Sequence, residues 1–233
     1  MSQRERSLEG MKVGGSIAIG YFPVAMAFGF AATEAGLNIS EAMLLSVSIF
    51  AGASQFAMLG LIAQMASPLW TVMTAVLLNV RHLLFSFAMA PRTCQWNYRQ
   101  IGVVAFGITD ETFAATNAKD GEITFPYMFY IELLAYGAWI IGTITGGVLR
   151  QGLPFGAKQA LTFALTAMFV SLLIPGLKQK ASFIAAAVGA ITAALCLYVG
   201  FSSLCVLVAG ILGASAGMGV SLWSGKSDQQ LSG

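Results

Sequence analysis

Asp110 and Glu111 are adjacent carboxylic acids inside residues 101–118, a run that is otherwise mostly apolar. A carboxylate in hydrocarbon is costly unless it faces water, a partner charge or a proton, so acids placed there mark substrate pathways and proton relays. Proton exchange is therefore the chemistry assigned to Asp110 and Glu111. Another apolar run, residues 68–90, contains Asn79-Val80-Arg81-His82. Arg81 lies too deep to anchor a helix end unless it snorkels, and an ion pair with Asp110 or Glu111 would neutralise both groups. Asn79, His82 and Ser86 fall on one helical face, which gives that run a coherent polar side.

Three further features could shape a ligand site. Pro23, followed by Phe28 and Gly29, interrupts or kinks the first apolar run by removing one helix hydrogen bond. Backbone freed by a break can hold a carboxylate at a half-helix N-terminus. In Phe50-Ala51-Gly52-Ala53-Ser54-Gln55-Phe56, small residues allow close backbone approach, and the Gln55 amide needs partners in a dry setting. Glu132 is a weaker signal: near the start of its run, it reads as a relay acid or as an interfacial residue. Gly213-Ala214-Ser215-Ala216-Gly217 matches both a nucleophile pattern and a helix-packing pattern. Packing is the reading adopted, because the segment reads as a helix rather than a strand-turn-helix elbow and only one histidine exists to serve as base.

The elements that must carry these residues follow from composition. Hydrophobic residues make up 57% of the 233 and charged residues 9%, against about 25% charged in soluble domains. Runs near the length of a spanning helix occur at 14–33, 43–66, 68–90, 125–149, 160–175, 182–199 and 202–222. With 101–118 added, the expectation is an all-α polytopic transmembrane bundle of seven or eight helices. It forms a single domain over 1–233, with a cytoplasmic tail at 1–12 and a second tail at 224–233. The apolar runs are continuous and rich in Ala, Leu and Gly, unlike the alternating strands of a barrel. Lysine and arginine counts slightly favour a cytoplasmic N-terminus if residues 101–118 cross, and that bias vanishes if they are re-entrant.

Net charge of +2 without a basic cluster excludes nucleic acid as a partner. Cys94, Cys196 and Cys205 are scattered and His82 stands alone, so neither metal nor cofactor is expected. A faint echo of Gly36-Leu37, Phe50-Ala51 and Phe56 in Gly152-Leu153, Phe163-Ala164 and Phe169 suggests two duplicated halves, parallel or inverted, with broken helices.

Taken in order, Gly20-Tyr21-Phe22-Pro23-Val24-Ala25-Met26-Ala27-Phe28-Gly29, the Phe50-to-Phe56 motif, Asn79-Val80-Arg81-His82 and Thr109-Asp110-Glu111-Thr112-Phe113-Ala114 resemble the AzlC family. The resemblance extends over most of the chain. It implies a bacterial inner (plasma) membrane exporter of valine, leucine and isoleucine, often with methionine. It also implies a small hydrophobic AzlD-like (YgaH-like) subunit as partner. Members commonly carry tyrosine where this chain has Phe85.

A zwitterion with an aliphatic tail needs a carboxylate cradle, an acid for its ammonium and an apolar pocket. The residues assigned to binding are Pro23, Phe28, Gly29, Gly52, Gln55 and Asn79, with Met26 and Phe56 beside the tail. Asp110 and Glu111 couple protons, and Arg81 and His82 are their charge partners. The Gly142/Gly146 and Gly213/Gly217 spacings offer faces for the second subunit. A channel, a scaffold or an intramembrane enzyme are the rival classes, and the last lacks a catalytic constellation such as HExxH.

Overall fold

The computed structural model describes residues 3–150, 177–199 and 205–231, with part of the residues between 151 and 176. All regular elements among these are helices. They fall into two compact units, Met1–Thr166 and Ala167–Gly233.

The first unit is built on α1 (Gln3–Glu34) and α8 (Phe125–Leu149). A Cβ on Gly10 would strike the Tyr127 carbonyl, one on Gly14 would meet Ile131 Cα at 2.8 Å, and one on Gly29 would strike the Thr143 carbonyl. From the other side, a Cβ on Gly142 would sit 2.7 Å from the Phe22 carbonyl, and one on Gly146 would strike that of Met26. Partners rise together along both helices, so α1 and α8 run parallel with their backbones in contact. Such closeness supplies the dispersion that holds helices together where lipid removes the hydrophobic drive. The Gly142/Gly146 face expected to receive a second subunit is therefore covered by α1. α1 stops where Gly36 takes φ +94°, a left-handed conformation open to glycine.

Between these helices the chain makes two hairpins. α2 (Ile39–Ser48) and α3 (Gly52–Ala63) come from the 43–66 run expected to cross, but they are separated at residues 49–51. Ile39 packs on Gly147 near the end of α8, the Val47 carbonyl accepts from Tyr136 at mid-helix, and Phe56 returns to lie edge-on against Phe28. The segment enters from the face opposite the N-terminus and turns back. α4 (Pro68–Asn79) and α5 (Arg81–Thr93) join through Val80, whose φ of −52° and ψ of −34° keep them in one apolar crossing, Pro68–Thr93. α6 (Tyr98–Gly107) and α7 (Asp110–Asn117) then form the second hairpin. Trp96 packs on Phe125 at its start, Thr109 meets Tyr21 in the middle of α1, and Lys119 returns to Glu9. Arg92, ending α5, donates to the carbonyls of Thr116, Lys119 and Gly121. Residues 101–118 are thus re-entrant, and the charge count based on their crossing no longer applies.

In order along the chain, α1 is followed by the α2–α3 hairpin and the α4–α5 crossing by the α6–α7 hairpin. The later copy of the sequence echo falls on residues 152–169, of which Leu153, Ala164 and Phe169 lie outside the described residues.

Two local expectations change. Pro23 is exposed on a helix that continues through it, so the interruptions fall at 49–51 and 108–109 instead. The 1–12 tail forms the opening turns of α1 from Gln3 onward. In the second unit, α9 (Lys180–Tyr198) packs against α10 (Cys205–Leu231), which carries the expected 224–233 tail as helix to Leu231. A Cβ on Gly213 would sit 2.6 Å from the Ala185 carbonyl and one on Gly217 2.8 Å from Ala185 Cβ. That glycine face, too, is occupied within the chain.

Exposed Cys94 follows α5. With Cys196 and Cys205 replaced by alanine, a membrane-impermeant maleimide is expected to label Cys94 from the side that carries an N-terminal epitope. Labelling from the opposite side would mean that residues 43–66 cross.

Candidate functional site

The two hairpin tips meet at Tyr21. Its ring lies edge-on to Phe50, at the α2–α3 tip, with centroids 5.9 Å apart, and to Trp139 of α8 at 5.3 Å. Its hydroxyl reaches Thr109 Oγ1 at 2.7 Å and also contacts Glu111 Oε2. One phenol proton serves one acceptor at a time, so when Tyr21 donates to Glu111 the Thr109 hydroxyl must donate to Tyr21. Thr109 starts α7 locally as well: its Oγ1 accepts from the Thr112 amide while its own amide donates to Thr112 Oγ1 at 2.7 Å. This reciprocal cap places Asp110 and Glu111 on the first turn, where the helix dipole favours negative charge.

On one side of Tyr21 the polar groups are fully consumed. Trp139 Nε1 donates to Gln55 Oε1 at 2.9 Å, and Gln55 Nε2 donates to Ser46 Oγ at 3.3 Å. Thr143 Oγ1 donates to the Trp139 carbonyl at 2.9 Å, so at the 2.8 Å contact between the two hydroxyls Ser46 is the donor. The circuit begins and ends on Trp139, and Gln55, Ser46 and Thr143 are all fully buried. Gln55, assigned to binding, is thereby committed within the chain. Gly52 leaves space for the Trp139 ring, which a Cβ would meet at 2.6 Å, and Phe28 is fully buried against Phe56 and Trp139. Gly29 is held against Thr143. No side chain caps α3, whose N-cap is Ala51, and its first turn lies at the tip beside Tyr21.

On the other side, polar atoms lack partners. Arg81 Nη2 pairs with Asp110 Oδ2 at 2.9 Å, the side chains being 30% and 28% exposed. Arg81 Nε, His82 Nε2, Asn79 Oδ1 and Glu111 Oε1 are buried atoms without a hydrogen-bond partner. Phe85 stacks on Phe113 with centroids 4.5 Å apart and on His82 at 5.8 Å, which sets an apolar surface next to the ion pair. The Arg81–Asp110 pair thus joins the start of α5 to the start of α7, with Asn79 and His82 beside Arg81 in the chain and Glu111, next to Asp110, turned to Tyr21. Pro23 lies outside this group. Sequence reasoning passed over Tyr21, which stands two residues before the proline that drew attention, and Trp139, which has no local signal. Glu132 is 5% exposed and lies inside the protein.

Arg81→Ala would leave Asp110 without its cation and is expected to destabilise the fold by about 1 to 3 kcal/mol, less than for a fully buried pair. Adding Asp110→Asn should recover part of that loss in a thermal-unfolding measurement in detergent. No recovery would show that the pair does not support the fold.

With that geometry in place, residues 16–153 match the family model of the AzlC protein, and residues 157–216 match that of the MJ1155 family. The chain is 34% identical to the Inner membrane protein YgaZ of Escherichia coli over 95% of this chain and 94% of that protein. It is 36% identical to a membrane protein of Archaeoglobus fulgidus, covering 90% and 91% respectively. It is 24% identical to the Branched-chain amino acid transport protein AzlC of Bacillus subtilis, covering 84% and 79%. No solved structure matches significantly. A family model covering more than half the residues, together with relatives of over 30% identity along nearly the whole length, makes this chain an integral membrane protein of the AzlC family.

Proposed function

We propose that the protein exports branched-chain amino acids across a bacterial inner membrane in exchange for protons, together with a small AzlD-like subunit. The observation that carries this reading is the set of unpartnered polar atoms at the meeting point of the hairpins. A buried donor or acceptor without a partner is costly, and a ligand that supplies the missing bonds recovers that cost. Glu111 Oε1 and Asn79 Oδ1 are acceptors suited to an ammonium. The uncapped first turn of α3 suits a carboxylate, because its free amides and dipole favour negative charge. The stacked Phe85 and Phe113 rings offer an aliphatic tail its apolar contact. Ammonium arriving at Glu111 favours the ionised acid, so substrate and proton compete for one group.

The re-entrant reading also supports a cytoplasmic N-terminus. In the first unit Arg4, Arg6, Lys12, Arg92, Arg99 and Lys119 then lie towards one face, while Arg150, paired with Glu34, lies at the other. With the Gly142/Gly146 and Gly213/Gly217 faces filled, the second subunit would dock elsewhere. Its requirement is tested by comparing transport with and without it.

In liposomes containing both subunits, labelled leucine should exchange with unlabelled leucine and accumulate against its gradient when a pH difference is imposed. Glu111→Gln should lower both activities at least about tenfold, as expected when one partner of a buried charged contact is removed. Tyr21→Phe should keep exchange but alter its pH dependence. Flux without counterflow would indicate a channel, and normal transport by Glu111→Gln would remove this acid from the mechanism.

A further inference from the structure

Glu132 projects from α8 towards the α6–α7 break. It is 5% exposed, and both of its carboxyl oxygens lack a hydrogen-bond partner. It packs against Gly107, the last residue of α6: a Cβ there would lie 2.6 Å from Oε2 and 2.7 Å from Cδ. Gly107 is therefore the residue that makes room for this carboxyl. Two residues on, Thr109 caps α7 and meets Tyr21, and Glu111 follows. One break thus carries an acid on either side, Glu111 on the outgoing half-helix and Glu132 beneath the end of the incoming one.

Among the described residues no cation pairs with Glu132. On α7, Asp110 is held by Arg81 and Glu111 by Tyr21 of α1. Tyr136, one turn along α8, donates to the Val47 carbonyl. Tyr98 and Arg99 stand at the far end of α6, Glu41 caps the outer end of α2, and the charged residues of α1 lie at its two ends, from Arg4 to Lys12 and at Glu34. What Glu132 faces is the C-terminus of α6, where the last-turn carbonyls and the helix dipole present negative potential; of these the Gly107 carbonyl accepts from Thr112 Oγ1 at 3.4 Å. A neutral carboxylic acid can donate to such an end, whereas a carboxylate is repelled by it. Gaining or losing a proton at Glu132 therefore changes the force on the segment that positions Thr109 and Glu111. A chain of this length offers few other intramembrane acids to move protons, and such residues mark relays.

We propose that Glu132 is a second proton-carrying residue, which couples the proton gradient to movement of the α6–α7 hairpin while Glu111 binds the substrate ammonium. This rests on the transport reading above. The two acids separate by assay, because leucine counterflow requires binding and movement but no net proton transfer. Glu132→Gln should retain counterflow while losing pH-driven accumulation by at least about tenfold, a coupling of ordinary size for linked sites. Glu132→Asp, which keeps the acid but withdraws it from Gly107, should restore accumulation with an altered pH profile. Undiminished accumulation by Glu132→Gln would overturn the proposal while leaving the transporter reading intact. If the unsubstituted protein shows no leucine flux, the transporter reading fails instead. If the Gln variant does not fold or no leucine flux is found, infrared difference spectra of the unsubstituted protein and Glu132→Asp between acid and alkaline pH decide the matter. A protonated-carboxyl band that shifts in the Asp variant supports proton exchange at this residue, and identical bands overturn it.

Discussion

Everything in the first unit depends on the backbone contact between α1 and α8. Helices in lipid gain nothing from burying leucine, so association rests on close packing and on satisfied polar groups. Glycines at 10, 14, 29, 142 and 146 let two long parallel helices touch along their length. That seam fixes Tyr21 beside Trp139, since both lie near its midpoint. It also fixes what can approach from either end. Side chains at these glycines would push the helices apart and separate the aromatic pair around which both hairpins close.

The hairpins solve a second constraint, that irregular backbone at membrane depth must be buried in protein or line a polar cavity. Each tip is covered by an aromatic residue and tied by hydrogen bonds. The α2–α3 tip lies against Tyr21 and Trp139, with the Gln55–Ser46–Thr143 circuit beneath it. The α6–α7 tip is tied by Thr109 to Tyr21 and leaned upon by Glu132. Both half-helices that begin at the tips, α3 and α7, direct their N-termini towards the same region. One carries two acids of its own, and the other has no cap. The asymmetry suits a ligand that bears one charge of each sign.

Helical character, membrane class and the Asp110–Glu111 neighbourhood were legible in the residues. Helix starts were legible too: Asn38 with Glu41, Asn97 with Gln100, and Thr109 with Thr112 form reciprocal caps of short-range pattern. Direction was not. Hydropathy records the length of an apolar run, and a ten-residue helix that turns back has the same composition as half of one that continues. Pro23 drew attention as a breaker, but the helix absorbs it on an exposed face. Gln55 was read as a ligand group because its partners, Trp139 and Ser46, come from elsewhere in the chain and from beyond the tip. Glu132 was left as a relay acid or an interfacial residue, because distance from the start of α8 does not reveal the hairpin folded in beside it.

The arrangement also explains why so few charged residues suffice. Arg81 holds Asp110, Tyr21 holds Glu111, and Glu132 is left unpaired. The central claim is that a zwitterion binds where the two hairpin tips meet. Its most direct test is a structure of the leucine-bound protein in a lipid disc. The account requires the leucine ammonium within hydrogen-bond distance of Glu111 Oε1, the carboxylate at the first turn of α3, and both hairpins entering and leaving on the same faces. Leucine bound away from the tips, or either hairpin traversing the membrane, would contradict it.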